Sequence, residues 1–341
     1  MKGREETQKS NEISAQRYLD GRPKILQQYY SSIWNKTHHT KKQYINALSR
    51  FFDYLEENGF NTNDMNIWDN IKPLTINQYL EHLRVDENGV KRCDSYRNMQ
   101  FYAIKSFFHF LEFNDLIIKN PCNRVEIIKT RQDLDVVYLT MDEVKTLKQN
   151  IINGVGNERA KARYAPWVDR DIAMVHLVLC TGLRAGAMRE INMEDLDFEN
   201  KRIRVVEKEN FVKDIYIDDE TIRVLSKWIV QREKYLLKKD KEVDALFIAN
   251  TCKRISSTTF NDIIKKYSYN INKKITPHKL RSTFAMNVYG ATGDIYITSN
   301  LLGHKNVETT KRYTTITEKR KHDAIDKLAK MYSEHQSDMY K

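Results

Sequence analysis

Residues 277–316, "PHKLRSTFAMNVYGATGDIYITSNLLGHKNVETTKRYTTI", hold four side chains that can grip a phosphate or move a proton: His278, Arg281, His304 and Tyr313. Together they suit one demanding reaction, the breaking of a DNA phosphodiester without a metal or a nucleotide. That reaction needs a nucleophile to attack phosphorus, fixed positive charge to stabilise the pentavalent transition state, and an acid to protonate the departing oxygen. A tyrosine can attack once its phenol, with a pKa of about 10, is helped to lose its proton. Arginine holds non-bridging oxygens through a planar fork that lysine lacks, and histidine exchanges protons near neutrality. Singly, each has an ordinary structural reading: tyrosines near helix ends pack, histidines sit satisfied in cores or on surfaces, and HxxR recurs in basic chains. Weight comes only from their order and spacing.

The elements that must position them read mostly as helices. His278 and Arg281 are three apart and share a face of any helix formed there. "NLLGH" ends an apolar helix at Gly303 and presents His304 at the turn, and "NVETTKRYTTI" begins another helix, with Tyr313 nine residues after His304. Upstream, "LTMDEVKTL" opens a domain with Thr140 and Glu143 at capping-box spacing. "DIAMVHLVLCTGLRAGAMREI" reads as a helix, and "RIRVVEK" and "DIYI", joined by "ENFVK", as a short antiparallel hairpin. Helical patterns resume from Thr221.

Residues 1–22 are polar and aperiodic, and are expected to form a flexible N-terminal tail. Residues 23–128 read as a small all-helical domain of about four helices. "YINALSRFFDYLEENG" lines up Tyr44, Leu48, Phe51, Phe52 and Leu55, with Gly59 as its stop. "TINQYLEHL" has Thr75 and Gln78 at capping-box spacing, and "NMQFYAIKSFFHFLEF" repeats the stripe through Ile104, Phe107, Phe108 and Leu111, before Asn120-Pro121 breaks the pattern. A basic linker at 129–138 leads to a second domain at 139–320. Residues 321–341 place Ile325, Leu328, Ala329 and Tyr332 at helical spacing. The fold class expected is mainly α with a small antiparallel β-sheet, the sheet belonging to an α+β catalytic domain.

The chain has 341 residues and a formal net charge of +11, a surplus suited to a polyanion. Its lysines and arginines are spread over both domains and the linker, as a clamp around a duplex requires and a membrane anchor does not. No apolar run approaches the roughly 18 residues that cross a bilayer. The four cysteines, Cys93, Cys122, Cys180 and Cys252, form no CxxC pair, which argues against a zinc knuckle or disulfide framework and suits a reducing compartment. A cytoplasmic, nucleoid-associated protein is expected, with double-stranded DNA as partner and no cofactor or metal.

"LVLCTGLRAGAMREINMEDLDFENKRIRVVEKENFVKDIYID" adds Arg184 after a Thr-Gly-Leu turn and Lys208 at the end of a strand. With the first stretch it closely resembles the tyrosine recombinase (phage integrase) family. That family's pattern is an Arg in "TGLR", a hairpin Lys, "HxLR", "LGH" and a Tyr nine residues later, and the likeness covers roughly residues 40–320. The resemblance implies a site of Arg184, Lys208, His278, Arg281, His304 and Tyr313. In it Tyr313 is the nucleophile, the arginines clamp the phosphate, and His304 donates to a phosphate oxygen. His278 handles the tyrosine proton, and Lys208 protonates the 5′ oxygen. It also implies a core-binding (SAM-like) DNA-binding domain at 23–128 and the catalytic domain at 139–320, the two closed as a clamp around DNA, a covalent 3′-phosphotyrosine, rejoining without ATP, and a homotetramer on paired sites. Accessory DNA-bending or directionality proteins, and a C-terminal helix exchanged between protomers, belong to the same expectation. The purpose is integration or excision of a mobile element, or resolution of DNA.

One position departs from the pattern. The acidic residue usual three positions after the "TGLR" arginine is replaced by Ala187, with Glu190 one helical turn further on. The residues before the helical domain are too few for the arm-binding domain of some phage integrases, so a simpler recombinase is expected. Two other readings use the same residues: a recombinase-like protein that binds DNA without cutting, and a type IB topoisomerase that relaxes one duplex.

Overall fold

The computed structural model describes residues 2–86, 88–128, 136–206, 212–303, 306–311, 313, 325, 326 and 329. The chain divides into two compact units, Lys2–Gln132 and Asp133–Lys341.

Six α-helices form the described part of the first unit: α1 (Lys2–Leu19), α2 (Lys24–Ser32), α3 (His38–Glu57), α4 (Ile67–Asn70), α5 (Pro73–His82) and α6 (Asp94–Phe113). Its core follows the apolar stripes. α3 buries Ile45, Leu48, Phe51, Phe52 and Leu55, and α6 buries Phe101, Ile104, Phe107, Phe108 and Leu111. Trp68 of α4 is fully buried, its ring centroid 5.1 Å from those of both Phe52 and Phe107, so aromatic contact fastens the two long helices. α3 begins where Thr37 accepts the Thr40 amide at 3.2 Å and ends before Gly59, whose φ is +83°.

Three expectations are corrected here. Residues 1–22 are not a tail: 2–19 are helical, and α1 packs on α3 through buried Ala15 and Leu19. So few inward residues leave no periodic signal, and the apolar surface comes from α3. α5 starts at Pro73, with Lys72 at its N-cap, rather than at Thr75. Proline's fixed φ suits the first helical position, and the Thr75–Gln78 spacing is coincidental. The helices also outnumber the four expected.

The second unit contains α7 (Met141–Asn153), α8 (Glu158–Tyr164), α9 (Val168–Thr181), α10 (Ala185–Glu190), α11 (Asp219–Lys239), α12 (Thr259–Tyr267), α13 (Pro277–Thr292), α14 (Ile295–Leu302) and α15 (Glu308–Lys311). Between α10 and α11 lie strands β1 (Leu196–Asp197), β2 (Arg202–Val206) and β3 (Val212–Tyr216), antiparallel in the order β1-β2-β3. The chain is therefore mainly α with one small sheet. The hairpin register pairs Val205 with Lys213 and Val206 with Val212. Thr140 and Glu143 form the reciprocal capping box of α7.

α9 is the axis of this unit, burying Ala173, Met174, Val175, Leu177 and Val178, with α11 and α13 packed along it. The apolar run read as one helix is two: α9 stops at Thr181, and α10 resumes at Ala185. Among the described residues no helix is long and apolar enough to cross a membrane, and no group of three or more His, Cys, Asp or Glu is placed to hold a metal ion.

Candidate active site

The turn carrying Arg184 is built by a glycine that nothing else can replace without strain. Gly182 caps α9 in the left-handed region at φ +65°, its amide donating to Val178 O at 2.9 Å. A Cβ there would stand 2.4 Å from Cδ1 and 2.7 Å from Cε1 of Phe284 on α13. The Thr181 hydroxyl donates to Leu177 O at 2.6 Å and accepts the Leu183 amide at 3.3 Å, holding the reversal from its other side. Arg184 then becomes the N-cap of α10 and is half-buried.

α13 supplies the next two groups. Pro277 opens it, His278 is exposed in its first turn, and Arg281 lies on a buried stretch with 3% exposure. The Arg281 guanidinium donates through Nη1 to Gly182 O at 2.5 Å and through Nη2 to Leu302 O at 2.6 Å. One planar fork thus fastens the "TGLR" turn to the last turn of α14. The carbonyls at a helix C-terminus lack intrahelical donors and carry the negative end of the dipole, so a cation suits both places. α14 stops at Gly303, left-handed at φ +63°, immediately before His304 in sequence.

Tyr313 completes the set. It is 1% exposed and packs in a small cluster with Phe284, Ala285 and Leu302, its amide donating to Thr310 O at 2.9 Å. Phe284 therefore belongs to both sides of the arrangement, crowding Gly182 and sharing the buried cluster that holds Tyr313. Arg184, Arg281 and Tyr313 are gathered around one junction of helix ends, with His278 one turn before Arg281. Lys208 and His304, and most of 314–341, lie outside the described residues. Within that last stretch Ile325, Asp326 and Ala329 are helical and exposed.

Two further residues fasten the surroundings. Arg254 donates to the carbonyls of Arg189 at 2.8 Å and Ile191 at 3.2 Å, and to Asn192 Oδ1 at 2.6 Å, capping the end of α10 opposite Arg184. Lys213 of β3 donates to Asn300 O of α14 at 2.9 Å. Nothing in the sequence marks Arg254. Lys213 left a trace, as a lysine in register with Ile215 and Ile217. Ala187 is partly buried against the core, and the Glu190 carboxylate pairs at 3.4 Å with Arg189.

The sequence model of the phage integrase family matches residues 138–320. The chain is 30% identical over 327 residues to a tyrosine recombinase XerC of Caldanaerobacter subterraneus subsp. tengcongensis, covering 89% of this chain and 86% of that protein. It is 27% identical over 286 residues to a tyrosine recombinase XerD of Oceanobacillus iheyensis, covering 83% and 90%. Among solved structures, the Tn1549 transposon integrase in complex with transposon right end DNA shares the fold, with a TM-score of 0.62 and 21% identity over 89% of this chain and 99% of that one. So does a lambda integrase dimer bound to a core site, with a TM-score of 0.61 and 16% identity over 85% and 93%.

Proposed function

The chain belongs to the phage integrase family of tyrosine recombinases, enzymes that break and rejoin DNA at specific sites, and from that premise we propose that it exchanges strands between two duplexes through a covalent 3′-phosphotyrosine on Tyr313. In this reading Arg184 and Arg281 hold the two non-bridging oxygens, and His304 donates to a phosphate oxygen. His278 takes and later returns the phenolic proton, while Lys208 protonates the departing 5′ oxygen. The phosphotyrosine retains the energy of the phosphodiester, so the 5′ hydroxyl of a partner strand can displace Tyr313 without ATP. The surplus of +11 charges supports a duplex partner. The assembly is a homotetramer on paired sites in the cytoplasm, at the nucleoid. It serves integration, excision or resolution of DNA, and accessory DNA-bending or directionality proteins set the outcome.

The observation that carries this reading is the Arg281 fork, which draws the "TGLR" turn and the end of α14 into one junction beside Tyr313. The burial of Tyr313 adds a step. At 1% exposure its oxygen has no approach to phosphorus, so the α15 segment has to shift before attack.

The test is a protein–DNA bond that survives SDS. Wild type and Tyr313→Phe are incubated, with EDTA present, with nicked duplexes taken from the DNA flanking the gene. An adduct formed by wild type alone supports tyrosine catalysis without a metal. Specific binding with no adduct would leave a DNA-binding protein that does not cut, with Ala187 the first position to restore.

A further inference from the structure

β3 is an edge strand, and its side chains alternate: Val212, Asp214 and Tyr216 are exposed, while Lys213 and Ile215 turn inward, followed by buried Ile217. A lysine at an inward register position needs a reason. Inward charges on edge strands can simply guard against pairing with another chain, but a guard needs no fixed partner. Lys213 has one: its ammonium donates to Asn300 O at 2.9 Å, an oxygen that also accepts the Gly303 amide at 2.9 Å. Two residues further, Leu302 O accepts Arg281. The last turn of α14 is thus held by two cations, Arg281 from α13 and Lys213 from the hairpin.

This link joins β3 to the end of α14, and each lies close in sequence to a residue read as part of the site. Lys213 follows Lys208 by five residues on the hairpin, and Asn300 precedes His304 by four. We propose that Lys213 is a positioning residue for DNA cleavage, fixing the hairpin to the end of α14 so that Lys208 meets the 5′ oxygen as the bond to phosphorus breaks. The inference rests on the reading of Lys208 as the acid. In the step concerned, the Tyr313 oxygen forms a bond to phosphorus, the bond from phosphorus to the 5′ oxygen breaks, and the proton passes from the Lys208 ammonium to that oxygen. Lys213 touches none of the reacting atoms.

The experiment compares a nicked duplex with the same duplex carrying sulfur in place of the bridging 5′ oxygen. A thiolate is a stable leaving group, since thiols ionise near pH 8.5, so cleavage of the sulfur substrate needs no acid. Single-turnover cleavage and duplex binding are measured for wild type, Lys208→Ala, Lys213→Met, Lys213→Leu and Lys213→Arg. Lys213→Met should cleave the oxygen substrate about 10–100-fold more slowly, the range for groups that orient a functional side chain, with binding unchanged. On the sulfur substrate both Lys208→Ala and Lys213→Met should return to the wild-type rate. Lys213→Arg, which still donates to the carbonyl, should keep most of the rate on oxygen, and Lys213→Leu supplies a second variant without a donor if the methionine variant does not fold. A Lys213→Met defect that persists on sulfur while that of Lys208→Ala disappears would overturn the proposal and leave Lys213 a structural tie. Wild-type cleavage of the oxygen substrate by Lys213→Met or Lys213→Leu would overturn it as well. If sulfur relieves neither variant, Lys208 is not the acid, and the reading beneath the proposal fails with it.

Discussion

Replacing Gly182 by alanine tests both the turn and its coupling to the site. The new Cβ is penalised twice. It would occupy the left-handed region at φ +65°, which costs an L-residue about 1–2 kcal/mol. It would also lie 2.4 Å from Phe284 Cδ1, and reaching ordinary contact at 3.4 Å requires a displacement of 1.0 Å. Phe284 is 8% exposed and packed with Leu302 and Tyr313, so its ring cannot swing aside. Overpacking of that kind adds about 1–3 kcal/mol. The sum, roughly 2–5 kcal/mol, lowers the melting temperature of a unit this size by about 4–20 °C. The effect on cleavage should be larger. Phe284 lies one turn beyond Arg281, so moving α13 by 1 Å pulls the guanidinium from Gly182 O, and misplacement of that size costs about 100-fold in rate. Calorimetry and single-turnover cleavage of a nicked duplex measure the two effects. Phe284→Leu in the same chain makes room and should recover the packing share, giving a double variant less unstable than the two single changes predict together. A Gly182→Ala protein that melts within about a degree of wild type and cleaves at the wild-type rate would refute the close-approach argument.

Arg281→Lys should retain duplex binding but lose cleavage by about 100-fold or more, because one ammonium cannot reach both Gly182 O and Leu302 O in a plane and hold a phosphate fork as well; near wild-type cleavage would show that the fork is dispensable. His176 sits with Nδ1 3.0 Å from Lys148 Nζ and Nε2 3.2 Å from Thr221 Oγ1, and burial first, then the Lys148 charge, holds its pKa below the usual imidazole value. The unfolded chain therefore binds this proton more readily, so the contribution to stability is complete above about pH 6.5 and is lost as pH falls below it. Urea midpoints at pH 7.5 and 5.5 should differ more for wild type than for His176→Gln, and equal differences would remove His176 from the account. Ala187→Glu should leave cleavage intact or raise it, measured against wild type on one nicked duplex; abolished cleavage would refute a supporting role for the carboxylate usual at that position.

The helix stops at Gly59 and Gly303 were legible because glycine after an apolar run has a local cause, and both are left-handed; the stop at Gly182 was read through, because the apolar pattern continues on both sides of it. The capping box of α7 and the hairpin were legible for the same reason, since neighbours in sequence decide them. α1 was not, because Ala15 and Leu19 find their apolar surface on α3, and no window within 1–22 contains that surface. The site shows the same division. Residue types and order marked Arg281 as a phosphate holder, but its hold on two main-chain carbonyls depends on turns about a hundred residues apart in the chain meeting in space. Arg254 was invisible for that reason, its partners being carbonyls and one amide oxygen that carry no signature of their own.

That reliance on carbonyls says where the site is vulnerable. Gly182 O, Asn300 O and Leu302 O receive the charges that gather the turns, and a carbonyl is present whatever the side chain. Substitutions that keep the backbone path, such as a smaller apolar residue at Leu302, leave these bonds in place and act through packing alone. Substitutions that change the path do not. Gly182 is then the position where loss of one hydrogen atom reaches furthest, because its backbone both turns the chain into Arg184 and accepts Arg281, while its missing Cβ admits Phe284 from the helix that carries Arg281. A substituent there acts on two helices at once, and the arginine joining them transmits the shift to α14.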